Sequence, residues 1–525
     1  MTPGVSRRDL LRLLAAGSIA TRVHAGGASH AIARTRAGRI AGIRDRGVYV
    51  FKGVRYGADT AARRFRPPLP VSTWKQVRDA FEYGPACPQL ETKEPASEDC
   101  LSLNVWTAAL RDGGKRPVMV YIHGGEYSSG SGSSPLYDGT HLCQRGDVVV
   151  ITVTHRLNAF GHLYLARIAG PQYAASGNVG LLDLVQALQW VRDHAVEFGG
   201  DPQRVMLFGQ SGGGAKIATL LAMPGARGLF HRVATMSGQQ ITASGPRGAT
   251  QRAEALLAAV GIQPPGISRL LTMDAAALVA ATRANDPSLA GRSLYFGPVL
   301  DQTTLPRHPF YPDAPPFAAS IPMIIGNTRD ETRAFHRNDA GIFELSWNEL
   351  PQRLLPALQV DVDPDYVIAE YRRMYPDYTP SEVFFAATTA GRSWRGAIIE
   401  AELRAEQGAP VHAYQLDYRS PLDGGRYGAM HTMDIPLVFD NIAQPGSLTG
   451  QDANAQKVAD RMSDAFIAFA RSGDPNHAGL PQWRPYDLQT RSTLLFDVDC
   501  KLADDPRGGE RRLFAQVPYI QRGTY

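Results

Sequence analysis

The sequence predicts an α/β fold: a mostly parallel central sheet, helices on both faces, and helical insertions over the C-terminal edge of the strands. Three observations predict it. Short β-branched apolar runs are bounded by turn residues, stretches with helical spacing alternate with them, and a glycine-flanked serine marks one strand-to-helix junction.

In order along the chain, residues 31–57 alternate polar and apolar positions around Gly38, Gly42 and Gly47, as small antiparallel strands do. After about residue 115 the pattern changes. Residues 118–122 and 148–153 are continuous apolar runs, which suits strands covered on both faces. Residues 177–198 carry helical spacing through Leu181, Leu184, Leu188 and Val191 and stop at Gly199-Gly200. The run at 205–208 predicts the next strand, a helix follows Ser211, and residues 233–236, 322–326 and 411–416 continue the sheet. Between them, residues 245–320 and 335–405 are mostly helical and rich in Ala, Pro and Arg. They read as insertions over the strand ends, where such a sheet places its pocket. Residues 453–471 make an amphipathic helix through Val458, Met462, Phe466 and Phe469. With no repeat and no linker in view, residues 31–525 are expected to form a single domain.

Hydrophobic content of 44% and charged content of 20% exclude a disordered or fibrous chain. Residues 1–25 read as an export leader. Arg7-Arg8 follows Ser6, a modest apolar run reaches Ala20, and Val23-His24-Ala25 offers a cleavage site. The paired arginines resemble a twin-arginine signal, an address rather than an anchor, and Arg12 leaves the run too short to span a bilayer. Its removal takes away four arginines and one aspartate, so the formal charge falls from +5 to +2. No nucleic-acid partner, polybasic membrane surface or stable membrane anchor is therefore expected. An exported, periplasmic or secreted protein is the expectation. Of the four cysteines, Cys87, Cys100, Cys143 and Cys500, none has metal-site spacing. Cys87 and Cys100 either close a short disulfide loop or remain two buried thiols; a bridge would stabilise by ~3 kcal/mol on chain-entropy grounds.

Gly209-Gln210-Ser211-Gly212-Gly213 is the one G-x-S-x-G in the chain. About 0.3 chance matches are expected in a sequence of this length and glycine content, so the pattern alone is weak. Its setting strengthens it. A strand-to-helix reversal needs small flanking residues, and it lifts the serine to the sheet's carboxyl edge above a helix N-terminus. His123-Gly124-Gly125-Glu126-Tyr127 follows another strand at that edge, where backbone N–H groups can face a developing oxyanion.

These motifs belong to a longer pattern. It comprises residues 51–56 (FKGVRY), 97–105 (SEDCLSLNV), the glycine loop at His123, 155–158 (HRLN), 177–183 (GNVGLLD) and 198–202 (FGGDP). In this order the chain resembles the carboxylesterase type B family, which includes bacterial carboxylesterases and the cholinesterases. The resemblance implies an α/β-hydrolase fold and a Ser, Glu, His order. Ser211 would be the nucleophile, Glu331 rather than Asp330 the acid, and His431 the base, with the amides of Gly125, Glu126 and Gly212 as oxyanion donors. It implies a small-molecule ester substrate, needs neither metal nor organic cofactor, and supports a Cys87–Cys100 bridge. A serine hydroxyl is a poor nucleophile until a base takes its proton, and the base needs a carboxylate to hold its tautomer.

Other positions read more plainly. Asp330 and Asp434 are expected to cap or pair nearby groups. Ser237 either supports the triad or is a structural hydroxyl, and Tyr127 and Trp394 either line the pocket or simply pack. The rivals are a catalytically inactive cholinesterase-like interaction protein, and an amidase or polycarboxylate-ester hydrolase using the same site. Three departures from the family pattern stand out: Gln210 where an acid is common, Gly212 in place of alanine, and Glu126 in the oxyanion loop. A carboxylate beside a developing oxyanion opposes its charge. The Glu126 side chain is therefore expected to turn away to a neighbour, the alternative being that it tunes substrate choice towards neutral or cationic groups.

Overall fold

The computed structural model describes residues 31–289 and 291–523, so the leader expected at residues 1–25 lies outside the described residues. Among them, thirteen strands join in one sheet. The chain enters through an antiparallel ribbon of β1 (Ala31–Arg34), β2 (Arg39–Asp45) and β3 (Val48–Arg55), with β4 (Arg78–Asp79) beside β2 and β5 (Ser102–Thr107) beside β3. The remaining strands are β6 (Arg116–Ile122), β7 (Val149–Val153), β8 (Gly200–Gln210), β9 (Arg232–Met236), β10 (Met323–Thr328), β11 (Val411–Leu416), β12 (Ser492–Phe496) and β13 (Lys501–Asp504). They lie in the order β7-β6-β8-β9-β10-β11-β12-β13, parallel up to β12 and antiparallel at the last pair. This is the α/β-hydrolase arrangement that the sequence led us to expect.

Continuous apolar strands have two buried faces, and side-chain alternation divides them between two cores. Val118, Val120 and Ile122 of β6 enter one core, with Leu181, Leu184, Leu188 and Val191 of the helix Val179–His194. Met119 and Tyr121 enter the other, with Val458, Met462, Phe466 and Phe469 of the helix Ala453–Ser472. That second helix begins where the Asp452 carboxylate accepts from the amides of Asn454 and Ala455 at 3.0 and 2.9 Å, and ends at Gly473 with φ 84°. Phe466 is fully buried, so Phe466→Ala would cost about 3–5 kcal/mol. The insertion at 335–405 has a third core around Tyr371, Phe384, Phe385 and Leu350.

The structure differs from the sequence reading in detail. β8 starts at Gly200 rather than 205, because Gly200 pairs with Arg116 across a register shift that apolar patterning does not reveal. The helix expected over 177–198 is α-helical from Val179 to His194, with 3-10 turns on either side. The Cys87–Cys100 bridge is not formed: both are buried thiols. The Cys87 sulfur accepts from the Leu157 amide at 3.3 Å, and a hydrogen bond with Cys87, then burial, push the Cys100 thiol up, so both sulfurs are satisfied as thiols. No helix among the described residues is long and apolar enough to cross a membrane. Ile122 of β6 lies opposite Gly209 of β8, and Gln210 opposite Met236 of β9, so these parallel strands end together at one edge.

Candidate active site

Ser211 sits immediately after β8 and before the helix Gly212–Leu220. Its backbone is held at φ 55°, ψ −125°, a region that costs a non-glycine residue of order 1–3 kcal/mol. The surroundings enforce it. The Ser211 amide donates to the Met236 carbonyl at 2.7 Å, and the Ser211 carbonyl accepts from Ala215 at 3.1 Å. Gly213 is needed because strand and helix touch there: a Cβ would run into the carbonyl oxygen of Ile122.

The acid and base come together as the family pattern implies. Glu331, fully buried past the end of β10, is hydrogen-bonded to Nδ1 of His431. Its other oxygen accepts from the Thr328 amide at 2.9 Å and the Asn327 amide group at 3.3 Å. Burial pushes this carboxyl up, but His431 beside it and hydrogen bonds from His431, Ser237 and Thr328 outweigh that and hold it below its ordinary value. Ser237 thus supports the acid. Asp330 clips the histidine segment in place: its carboxylate accepts from the Ala429 amide at 2.9 Å, and its own amide donates to the Ala429 carbonyl at 2.9 Å. Asp434 accepts from the Tyr414 hydroxyl at 2.9 Å, and burial pushes its carboxyl up to about 7.

Ser211 and His431 line one cleft of about 100 Å³, room for several waters. The serine hydroxyl makes no hydrogen bond to the imidazole among the described residues. Instead, the Gln210 side-chain nitrogen lies 3.2 Å from each ring nitrogen. The sequence marked Gln210 only as a departure from the family pattern, yet it touches the base.

The loop after β6 closes the site. Glu126 has φ 52°, and an added Cβ at Gly212 would lie 2.5 Å from both N and Cα of Glu126. The two departures from the family pattern therefore meet: Gly212 lets the backbone of Glu126 come close. Among the described residues, the amides of Gly125, Glu126 and Gly212 have no acceptor. Beneath them, fully buried Lys216 donates to the His123 carbonyl at 3.1 Å. Burial lowers its amine to about 7, with Glu126 pulling the other way. His123 is pushed down to about 3 by burial and by Lys216, so it is neutral. Lys216 was missed in the sequence, although a lone lysine in the small, apolar run 212–218 was a visible signal.

The rim holds the remaining charges. The Glu126 side chain does turn to neighbours: Arg522 Nη1 lies 3.2 Å from Oε1, and Arg392 Nη2 lies 4.0 Å from the same oxygen. Tyr127 lines the cleft and donates its hydroxyl to Gln240 at 3.0 Å. Trp394 does not line it. It borders a separate cavity with Tyr414 and stacks under Arg507 at 4.4 Å, because the Ala390–Trp394 segment turns it to the other side of the insertion.

A serine on a strained strand-to-helix turn, a buried carboxylate on an imidazole, and free backbone donors at one edge of a parallel sheet define the hydrolase class. Comparison with known proteins agrees. The sequence pattern of the Carboxylesterase family matches residues 29–511. The chain is 34% identical to the para-nitrobenzyl esterase of Bacillus subtilis (strain 168), over 92% of this chain and 98% of that protein. It is also 34% identical to the phenmedipham hydrolase of Pseudarthrobacter oxydans, over 90% and 97%. A crystal structure of a Geobacillus stearothermophilus carboxylesterase superposes with a TM-score of 0.82 at 37% identity, covering 92% of this chain and 99% of that one. The chain belongs to the carboxylesterase family and is a carboxylic ester hydrolase.

Proposed function

We propose that ester cleavage proceeds by two-step acyl transfer through a Ser211–His431–Glu331 triad. Ser211 attacks the ester carbonyl while His431 takes its proton, and the oxyanion rests on the amides of Gly125, Glu126 and Gly212. His431 then protonates the leaving alcohol. In the second step it activates water, which releases the acid and restores the serine. The observation that carries this reading is the buried Glu331 carboxylate on Nδ1 of an imidazole that shares a cleft with Ser211. In free enzymes the base–nucleophile hydrogen bond is often open and closes with substrate, so the Gln210 contact is a resting position of the ring. The substrate is a small-molecule ester, and the leader at residues 1–25 exports the folded enzyme by the twin-arginine route.

A fluorophosphonate probe, run beside a panel of neutral, anionic and aryl esters and amides, tests the reading. The wild type should be labelled at Ser211. Ser211→Ala should take no label and lose about 10³-fold or more in kcat/KM. Label on another residue, or an unchanged rate in Ser211→Ala, refutes the triad. An unlabelled, inactive wild type supports the inactive interaction protein, and preference for amides over esters makes the chain an amidase.

A further inference from the structure

The cleft carries more positive than negative charge. Besides His431, its charged lining residues are Glu126, Arg392 and Arg522, one carboxylate against two guanidiniums. Both arginines reach for the same oxygen of Glu126, at 3.2 and 4.0 Å. The shared carboxylate is itself 44% exposed, whereas the arginine side chains are 30% and 29% exposed. Arg522 Nε is buried and has no hydrogen-bond partner among the described residues. Arg392 has no hydrogen bond among them either. Its guanidinium carbon sits over the Phe335 ring, 4.1 Å from the centroid, and that ring's centroid lies 5.1 Å from that of His431. The turn that presents Arg392, Ala390–Trp394, is π-helical, a form found disproportionately at functional sites.

A guanidinium stays protonated under any working condition, and two of them offer a carboxylate several directed donors. Glu126 satisfies one donor of Arg522 and sits beyond hydrogen-bond reach of Arg392. A second carboxylate is what this pair lacks.

We propose that Arg392 and Arg522 form an anion subsite of the cleft, and that the preferred esters carry a carboxylate a few bonds from the scissile carbonyl. Glu126 holds the pair in the free enzyme and swings towards solvent when the substrate anion arrives. This rests on the reading that Ser211 and His431 work in the same cleft. The anion belongs either to the acyl half, as in a monoester of a dicarboxylic acid, or to the alcohol half, as in an acylated hydroxybenzoate.

Matched pairs of esters separate these sources. One pair is the 4-nitrophenyl monoester of glutaric acid against 4-nitrophenyl pentanoate. The other is 3-acetoxybenzoate against its methyl ester. The full-length wild type should favour the anionic member of one pair by about tenfold in kcat/KM, and the favoured pair identifies the half that bears the anion. Arg392→Gln and Arg522→Gln should each cut that anionic-to-neutral ratio by about tenfold, through KM. Glu126→Gln should raise it severalfold, and 0.5 M NaCl should lower it. Neutral preference in both pairs, or ratios that the arginine variants do not move, overturns the proposal. Glutarate dianion provides a readout without turnover: it should raise Tm in the wild type and not in the double arginine variant, and no shift in the wild type counts against the subsite. If neutral esters are cleaved and Ser211→Ala abolishes that, the triad stands whatever the ratios show. If Ser211→Ala leaves cleavage intact while glutarate still binds, the triad falls and the subsite survives.

Discussion

Along the inner wall of the cleft, the atoms that fix the shape around Ser211 are backbone. Ser211, Gly212 and the 124–126 loop pack so closely that Cβ positions at Gly212 and Gly213 are already occupied by neighbouring main chain. Along the outer rim, the working atoms are side chains. Phe335, Arg392 and Arg522 come from remote segments, the two arginines are partly exposed, and they share one half-exposed carboxylate. The inner wall is set by contacts that admit no added atom, because interiors are close-packed and main chain cannot step aside. The rim can be rewritten one side chain at a time. On the proposed reading, reaction geometry therefore resides in one wall and substrate choice in the other.

The contrast breaks if the inner wall tolerates a methyl group. Gly213→Ala is expected to have the largest effect: its Cβ meets the Ile122 carbonyl, and the reversal carrying Ser211 has to move. A loss on the order of 10³-fold in kcat/KM is expected, with overpacking destabilisation of about 1–3 kcal/mol read from urea unfolding. Gly212→Ala is gentler and more informative. Its Cβ would push the Glu126 backbone outward, separating the amides proposed to hold the oxyanion, so kcat should fall by about 10²-fold with KM little changed. If the two departures are coupled as their contact suggests, Gly212→Ala/Glu126→Gly should recover part of that loss, because glycine at 126 lets the loop retreat without strain. Additive losses in the double variant would show that they are independent.

The same contrast explains what could be read from the sequence. The sheet was legible from residues such as 118–122 and 205–208, whose apolar runs report burial on both faces. Ser211 was legible because a tight reversal needs contiguous small residues. Glu331 and His431 lie 100 residues apart and were assigned only through a family resemblance, since their meeting depends on the register of β10 and the path of the 428–431 loop. Arg392 and Arg522 were not legible at all. Each is one arginine among many, and their shared contact with Glu126 exists only after the insertion and the C-terminal segment fold over the strand ends. Trp394 was left open between cleft and packing for the same reason, and the structure takes the packing alternative: aromatic character does not say which side of a helix faces the cleft.

Lys216 stands between the two walls, a buried amine that holds the loop after β6 through the His123 carbonyl. Lys216→Met should lower kcat by about tenfold, since the loop loses that donor. It should also alter the pH dependence of stability. With the folded amine near 7 and the ordinary value at 10.5, the unfolded chain binds the extra proton between those limits. Wild-type stability should therefore rise with pH across roughly 7 to 10.5, by at most about 1.4 kcal/mol per unit, and be flat below 7 as far as this group is concerned. Urea unfolding at several pH values should show the methionine variant without that rise; an identical pH profile would mean that Lys216 is not held neutral.

The smallest effect is expected from Glu126→Gly assayed on neutral esters. Glycine keeps the N–H that faces the cleft and is at ease at the φ of 52° that glutamate adopts under strain. It also removes a negative charge from beside the developing oxyanion, which favours the reaction, while freeing Arg392 and Arg522, which favours it further. Against this, a more mobile loop holds its donors less firmly. These opposing terms should leave kcat/KM within tenfold of the wild type. A hundredfold loss would place the Glu126 carboxylate among the groups that set reaction geometry, and would erase the division between a backbone wall that performs chemistry and a side-chain rim that selects the ester.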